Sequence, residues 1–274
     1  MTGTLYVVGT PIGNLEDLSP RAARTLAAAS LVAAEDTRRT GRLLAGLGIG
    51  VPMVSVFAGN EASRVPRILA ALAEGDVALV SDGGMPLVSD PGSRVVRAAV
   101  DAGFDVRVVP GPSAAVAALV ASGLTSDRWA FEGFLPRRSG ERDRRLAELA
   151  TDPRTVVLFE SPKRTGATLA AIAGICGADR PVAVCRELTK LHETIVRGPA
   201  GEVAASIGEL RGEVVIVVGG ADAVPAGDLD AAVADARDAI AAGTKPREAA
   251  RRAASAHGVT ANDVYGRLTG GDPT

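Results

Sequence analysis

The feature that most constrains this chain is its rhythm. Short β-branched runs recur, each followed by a longer amphipathic stretch: Leu5–Val8, Leu31–Ala34, Met53–Val56, Val77–Val80 and Val106–Val109. Such alternation predicts an α/β domain built on a largely parallel sheet. The second half continues with Trp129–Phe131, Thr155–Phe159, Val182–Cys185, Thr194–Val196 and Val214–Val218. Three of these lie close together, which predicts some antiparallel pairing. The pattern breaks at Pro110-Gly111-Pro112 and again at Gly219-Gly220. The expected division is an N-terminal α/β domain over residues 1–112, a second α/β domain over 113–221, and a module over 228–274.

A chain of 274 residues has ample surface to bury in such cores. Apolar residues make up 47% but aromatics only 3%, so the cores must be built from Ala, Val and Leu. Reading RNA with a row of stacked aromatics is thereby disfavoured. The longest apolar run, Ala114 to Ala121, is far short of the roughly 18 residues that span a bilayer. The N-terminus reads directly as a strand, without the basic and long apolar regions of a signal peptide, so a cytoplasmic protein with no membrane contact is expected. Cys176, Cys185, His192 and His257 form no zinc-ligand pattern, and no metal is expected.

The helix starts carry more information than the helices. Ser19-Pro20, Asp90-Pro91, Gly111-Pro112 and Ser161-Pro162 each place a capping-type residue before a proline at an expected first helical position. Taken singly these are ordinary caps. Several follow a strand directly, which clusters free backbone N–H groups at the carboxyl ends of strands, where open α/β sheets bind ligands.

Three loops stand at those ends. Gly9-Thr-Pro-Ile-Gly13-Asn14 fits neither GxGxxG nor a Walker loop; it reads as a tight turn with exposed backbone. Ser81-Asp-Gly-Gly-Met-Pro86 offers main-chain contacts, with Asp82 placed to meet a hydroxyl or an ammonium. Pro110-Gly-Pro-Ser-Ala114 opens an Ala-rich helix.

With Leu5-Tyr-Val-Val-Gly-Thr-Pro-Ile-Gly-Asn-Leu-Glu-Asp17, which contains the first loop, Ala34-Glu-Asp-Thr-Arg38, Phe131-Glu-Gly-Phe-Leu-Pro-Arg137, Phe159-Glu-Ser-Pro-Lys-Arg164 and Arg186-Glu-Leu-Thr-Lys190, the second and third loops make seven ordered motifs. Together they resemble the ribosomal RNA small subunit methyltransferase I family, of tetrapyrrole-methylase fold, over about residues 4 to 219. One departure is Gly-Gly-Met85-Pro, where the family pattern has Ala-Gly-Thr-Pro. The resemblance implies a two-domain fold with an S-adenosyl-L-methionine (SAM) cleft between the domains, usually in a homodimer. It also implies 2′-O-methylation of a cytidine ribose in the decoding region of 16S rRNA, free or within the 30S subunit. Carried over by position, the cofactor contacts are Pro11 and Ile12, Ser81, Asp82, Gly83 and Met85, Ser113 and Ala114, Glu160 and Leu188.

Methyl transfer to a hydroxyl needs in-line alignment and a group to take or orient a proton. Candidates are Lys190, Glu35, Asp36, Glu187 and Glu160, with His192 a further one; a lysine qualifies only if its pKa is lowered. For Glu187 and Lys190 the competing reading is a plain surface pair. RNA needs positive surface, which the formal net charge of -2 hides. Arg137, Arg138, Arg142, Arg144 and Arg145 cluster, against Glu141 and Asp143, and a solvated helix start is the alternative. Arg38, Arg39 and Arg42 lie near the expected cleft, as do Lys163 and Arg164.

In the last segment, Pro246 to His257 reads as a helix ended by Gly258, and Thr260 with Asp263 opens another. This helix-turn-helix-like module carries Lys245, Arg247, Arg251 and Arg252, suited to RNA or to simple packing. Two other functions remain open at this level: a small-molecule, tetrapyrrole-type SAM methyltransferase and a non-catalytic RNA-binding regulator.

Overall fold

The computed structural model describes residues 2–221 and 228–270. In the first part, strands and helices alternate as β1 (Thr4–Val8), α1 (Pro20–Ala28), β2 (Leu31–Ala34), α2 (Thr37–Gly46), β3 (Met53–Ser55), α3 (Glu61–Glu74), β4 (Val77–Val80), α4 (Ser93–Asp101) and β5 (Asp105–Val109). The strands form one all-parallel sheet in the order β3-β2-β4-β1-β5. Every residue of β2 and β4 is buried, as expected for strands with helices on both faces.

The chain continues through α5 (Ala114–Ser122), β6 (Trp129–Phe134), α6 (Ser139–Leu149), β7 (Thr155–Glu160), α7 (Thr165–Cys176), β8 (Pro181–Arg186), β9 (Thr194–Pro199), α8 (Ala200–Ser206) and β10 (Val214–Val218). These strands form a second sheet, β6-β7-β10-β8-β9, in which only β6 and β7 are parallel. The antiparallel pairing expected from the closely spaced runs is present. A bulge at Glu132 with Gly133 at φ 64° resets the pleat of β6, so that Phe131 and Phe134 both lie edge-on to Phe159, at 4.9 and 5.7 Å between ring centroids.

The cores follow the composition. Leu5, Leu26, Ile68, Leu72, Leu158, Leu169, Ile172 and Ile216 are fully buried, each worth about 1.5–3 kcal/mol of stabilisation. Small residues let α5 lie close to the second sheet, with Ala115, Ala118 and Leu119 packed on Val157, Ala183 and Val217.

Of the four proline-marked helix starts, one is as expected: Ser19 Oγ accepts from Ala22 N–H at 3.1 Å, and Pro20 opens α1. The other three lie before the helices, which begin at Ser93, Ala114 and Thr165. For α4 the physical reason is a cap supplied from elsewhere: the buried Glu61 carboxylate on α3 accepts from the N–H groups of Gly92, Arg94 and Val95 at 3.2, 2.6 and 3.3 Å. Before α5, Ser113 is the capping residue in place of Gly111.

Residues 2–221 fall in one compact unit, and 228–270 in a second. The second unit is a three-helix bundle of α9 (Leu229–Ala241), α10 (Pro246–His257) and α11 (Ala261–Thr269). Both expected helices are present, and Thr260 Oγ1 accepts from Asp263 N–H at 3.1 Å. The additional helix, α9, contributes Ala232, Val233 and Ala236 to a core shared with Ala249, Ala250, Ala253, Ala254 and Val264. Among the described residues, no helix is long and apolar enough to cross a membrane.

Candidate active site

Strands β4, β1 and β5 are neighbours, so the three loops read from the sequence meet at their carboxyl ends. The backbones touch. A Cβ on Gly111 would come within 2.8 Å of Gly9, and Thr10 and Gly84 exchange backbone hydrogen bonds at 2.9 and 3.0 Å. The departure at Met85 is absorbed here: its sulfur packs over the hydrogen face of Gly9, where a Cβ would come within 2.7 Å of it.

Facing these loops is the second sheet. Antiparallel β10 starts where β7 and β8 end, pairing Val214 with Glu160 and with Arg186. This register brings Phe134, Phe159, Glu160 and Gly212–Val215 opposite Ile12, Asp82–Met85, Ser113 and Ala114, around a cavity of about 350 Å³. A second cavity of about 300 Å³ adjoins it, lined by Thr10–Gly13, Leu15, Arg39, Thr40, Arg42, Leu43, Ser81, Asp82 and Lys190. Ile12, Arg39 and Asp82 belong to both.

The electrostatics of the two cavities differ. The first carries Asp82, Asp90 and Glu213 beside its apolar wall. Burial pushes the Asp90 carboxyl above its ordinary value, and the like charge of Asp82 adds to the rise. The second carries Arg39, Arg42 and Lys190. Leu87 and Ser89, in the loop between β4 and α4, have φ of 72° and 67°; Glu187 and Thr189, beside Lys190, have 53° and 65°. Such strain concentrates at functional sites.

The expected cofactor residues divide between the cavities. Ile12, Asp82, Gly83, Met85, Ser113, Ala114 and Glu160 line the first, while Pro11 and Ser81 line the second. Leu188 lines neither; its side chain packs in the cluster beneath α5. The Glu160 carboxylate is fully engaged, accepting from Ser161 N–H, Arg164 and the Thr168 hydroxyl at 2.6–3.0 Å.

The catalytic candidates are reassigned by their contacts. Lys190 Nζ donates to Glu187 at 2.8 Å and Glu213 at 3.0 Å. Burial alone would lower its pKa, but these two bonds outweigh it and raise the value, so the lowered pKa required of a lysine base is absent and Lys190 stands as an ammonium. Glu187 is held below its ordinary value by Lys190 and the Glu213 amide, which makes it a weak base. Asp36 caps α2 and is clamped by Arg38, which holds its carboxyl well below the usual range. Burial raises Glu35, but its carboxylate accepts from Asp82 N–H at 3.2 Å and lines neither cavity.

The candidate RNA contacts divide the same way. Arg164 is a correction: it is bonded bidentately to buried Glu160 and to Leu135 O, and so belongs to the core of the second sheet. Arg38, Arg138 and Arg142 pair with Asp36, Glu141 and Asp143. Arg137 and Arg144 are exposed and make no ion pair among the described residues. In the second unit Arg251 is exposed, and Arg247 lies 5.7 Å from the Tyr265 ring centroid. Arg39, expected near the cleft, lines both cavities, whereas sequence reasoning missed Asp90, Phe134, Phe159 and Glu213 as wall residues, because only the folded strand order brings them together.

A methylase fold with a two-part cleft is what this arrangement defines, and comparison with known proteins agrees. Residues 4–204 match the family model of tetrapyrrole (corrin/porphyrin) methylases. The crystal structure of uroporphyrin-III C-methyltransferase from Thermus thermophilus is 26% identical, with a TM-score of 0.56 over 79% of this chain and 94% of that one. A second structure of that enzyme, complexed with S-adenosyl homocysteine, is 22% identical with a TM-score of 0.55, over 79% and 96%. Ribosomal RNA small subunit methyltransferase I of Mycobacterium tuberculosis is 45% identical over 269 residues, 96% of this chain and 94% of the relative. The chain therefore belongs to the tetrapyrrole-methylase family, in the branch whose curated members are ribosomal RNA small subunit methyltransferases I.

Proposed function

We propose that this enzyme transfers the methyl group of SAM to the ribose 2′-hydroxyl of a decoding-region cytidine in 16S rRNA, and that it works as a homodimer. The observation that carries the reading is the pair of adjoining cavities, one acidic and apolar, the other basic, with Ile12, Arg39 and Asp82 as their common wall. The names of the 45%-identical relative and of the S-adenosyl homocysteine complex support it.

The first cavity fits the cofactor by shape and charge. Its glycines let the loops pack closely, with a Cβ on Gly83 only 3.2 Å from Pro11 O and one on Gly84 3.3 Å from the Ile12 side chain. Phe134, Phe159, Met85 and Val215 offer apolar surface to an adenine, and Asp82, Asp90 and Glu213 offer charge to an ammonium or sulfonium. The cofactor supplies an electrophilic methyl group whose positive charge is neutralised as the new C–O bond forms.

The chain's own work is alignment, which can supply most of the rate. Asp82 is fixed by Asp36 N–H at 3.0 Å and by Arg39 at 3.3 Å, and is the carboxylate on the common wall. It is placed to orient the hydroxyl and take or pass on its proton. Lys190, as an ammonium, donates hydrogen bonds to ribose oxygens. Exposed Val116 and Val120, one turn apart on α5, offer apolar surface to a second copy, which sedimentation would detect.

The test is methyl transfer from labelled SAM to 30S subunits, naked 16S rRNA and a tetrapyrrole precursor in parallel. Label in RNA is expected. Label in the tetrapyrrole alone would replace the reading with small-molecule methylation.

A further inference from the structure

We infer that the second cavity is a subsite for a single nucleotide turned out of the RNA, its phosphate held by Arg42 and its base laid against Leu15 and Leu43. The inference rests on the proposed RNA-methylating function and names where the acceptor sits. A nucleotide stacked in folded RNA hides its sugar and base from a cleft, so enzymes acting on one extrude it into a pocket. At about 300 Å³ the cavity is at the small end of ligand sites, with room for one nucleotide and not for a folded segment.

Its charges point to a phosphodiester. Arg39 is committed to Asp82 at 3.3 Å and to Glu213 at 3.9 Å, and Lys190 to Glu187 and Glu213. Arg42 lies one turn along α2 from Arg38 and Arg39, is exposed, and makes no ion pair among the described residues. A guanidinium left with all its donors at a cavity mouth matches phosphate oxygens in a fork geometry.

The apolar part is equally placed. Leu15, in the 3-10 turn that follows the first loop, is 68% exposed and lines this cavity together with half-buried Leu43. Two leucines give a base an apolar face without reading its edge. With phosphate and base so placed, the ribose falls at the common wall, beside Asp82 and Lys190 and open to the first cavity.

The experiment uses the full chain and three surface variants, Arg42→Glu, Leu15→Asp and, as a charge control, Arg97→Glu, an exposed α4 residue that lines neither cavity. Steady-state transfer from labelled SAM to 30S subunits is measured over a salt series, and SAM affinity by calorimetry. Arg42→Glu is expected to raise the KM for 30S about tenfold and flatten its logarithmic salt dependence by about one, and SAM affinity stays within about twofold. Leu15→Asp should raise the same KM, and Arg97→Glu should not. An unchanged KM in Arg42→Glu and Leu15→Asp, or an equal rise in Arg97→Glu, overturns the subsite while leaving RNA methylation standing. Wild-type transfer to a tetrapyrrole and to no RNA overturns both.

Discussion

At the scale of single residues, most charges around the cleft are already committed to one another. Glu61 is the clearest instance: one buried carboxylate oxygen accepts three backbone N–H groups at the start of α4 and so ties down the loop that carries Leu87, Ser89 and Asp90. Glu61→Gln weakens that acceptor; a loss of about 1–3 kcal/mol in denaturant unfolding is expected, with a higher KM for SAM and little change in kcat. Glu187 sets a pH dependence. Its folded pKa is depressed, so its contribution is full above the ordinary carboxyl value of about 4.3 and is lost as pH falls through the depressed value. Glu187→Gln should therefore flatten the acid limb of a stability-against-pH curve; an unchanged limb would mean that the Lys190 pair contributes nothing. Burial raises the Cys185 thiol to about 11, so it should resist thiol reagents at pH 8 until the chain is unfolded. Which residues would cluster was partly legible from the motifs, because the first-half loops are local. The state of each charge was not. Glu160 and Arg164 stand four apart and read as a ligand residue and a phosphate contact, yet they close on each other because burial of one carboxylate demands a cation.

Among the elements, strands were the most legible, because short apolar β-branched runs can be little else at that length. Helix starts were less so. Asp90-Pro91 has the local form of a cap, but α4 begins later because its acceptor comes from α3, thirty-one residues earlier in sequence, and no local pattern carries that information. The bulge at Glu132 that turns Phe134 toward the cavity was likewise invisible, as was α9, whose Ala/Asp-rich sequence carries little amphipathic pattern. The approach of β1 to β5 is the element-scale feature that shapes the first cavity. Gly111→Ala puts a methyl group 2.8 Å from the Gly9 backbone and must push the two loops apart. It should cost about 1–3 kcal/mol of stability and weaken SAM binding, measured by denaturation and calorimetry; unaltered SAM affinity would show that the cavity tolerates the separation.

Over the whole molecule, the cavities are built entirely within the first unit, and the second has its own alanine-rich core. Deletion of residues 228–274 should therefore leave SAM binding intact while lowering transfer to 30S subunits about tenfold or more, since the exposed Lys245, Arg247, Arg251 and Arg252 go with it. Equal activity of the shortened chain on 30S would assign those cations to packing. Family membership was legible from seven ordered motifs, whereas the far wall of the cavity was not, because it depends on the strand order β6-β7-β10-β8-β9. What remains decisive is where the methyl group goes. The direct measurement is alkaline digestion of rRNA from 30S subunits incubated with the enzyme and labelled SAM, followed by mapping of the labelled product. The proposed function predicts an alkali-resistant dinucleotide carrying its label on the ribose of a decoding-region cytidine; label on a base, or in free tetrapyrrole with none in RNA, would contradict it.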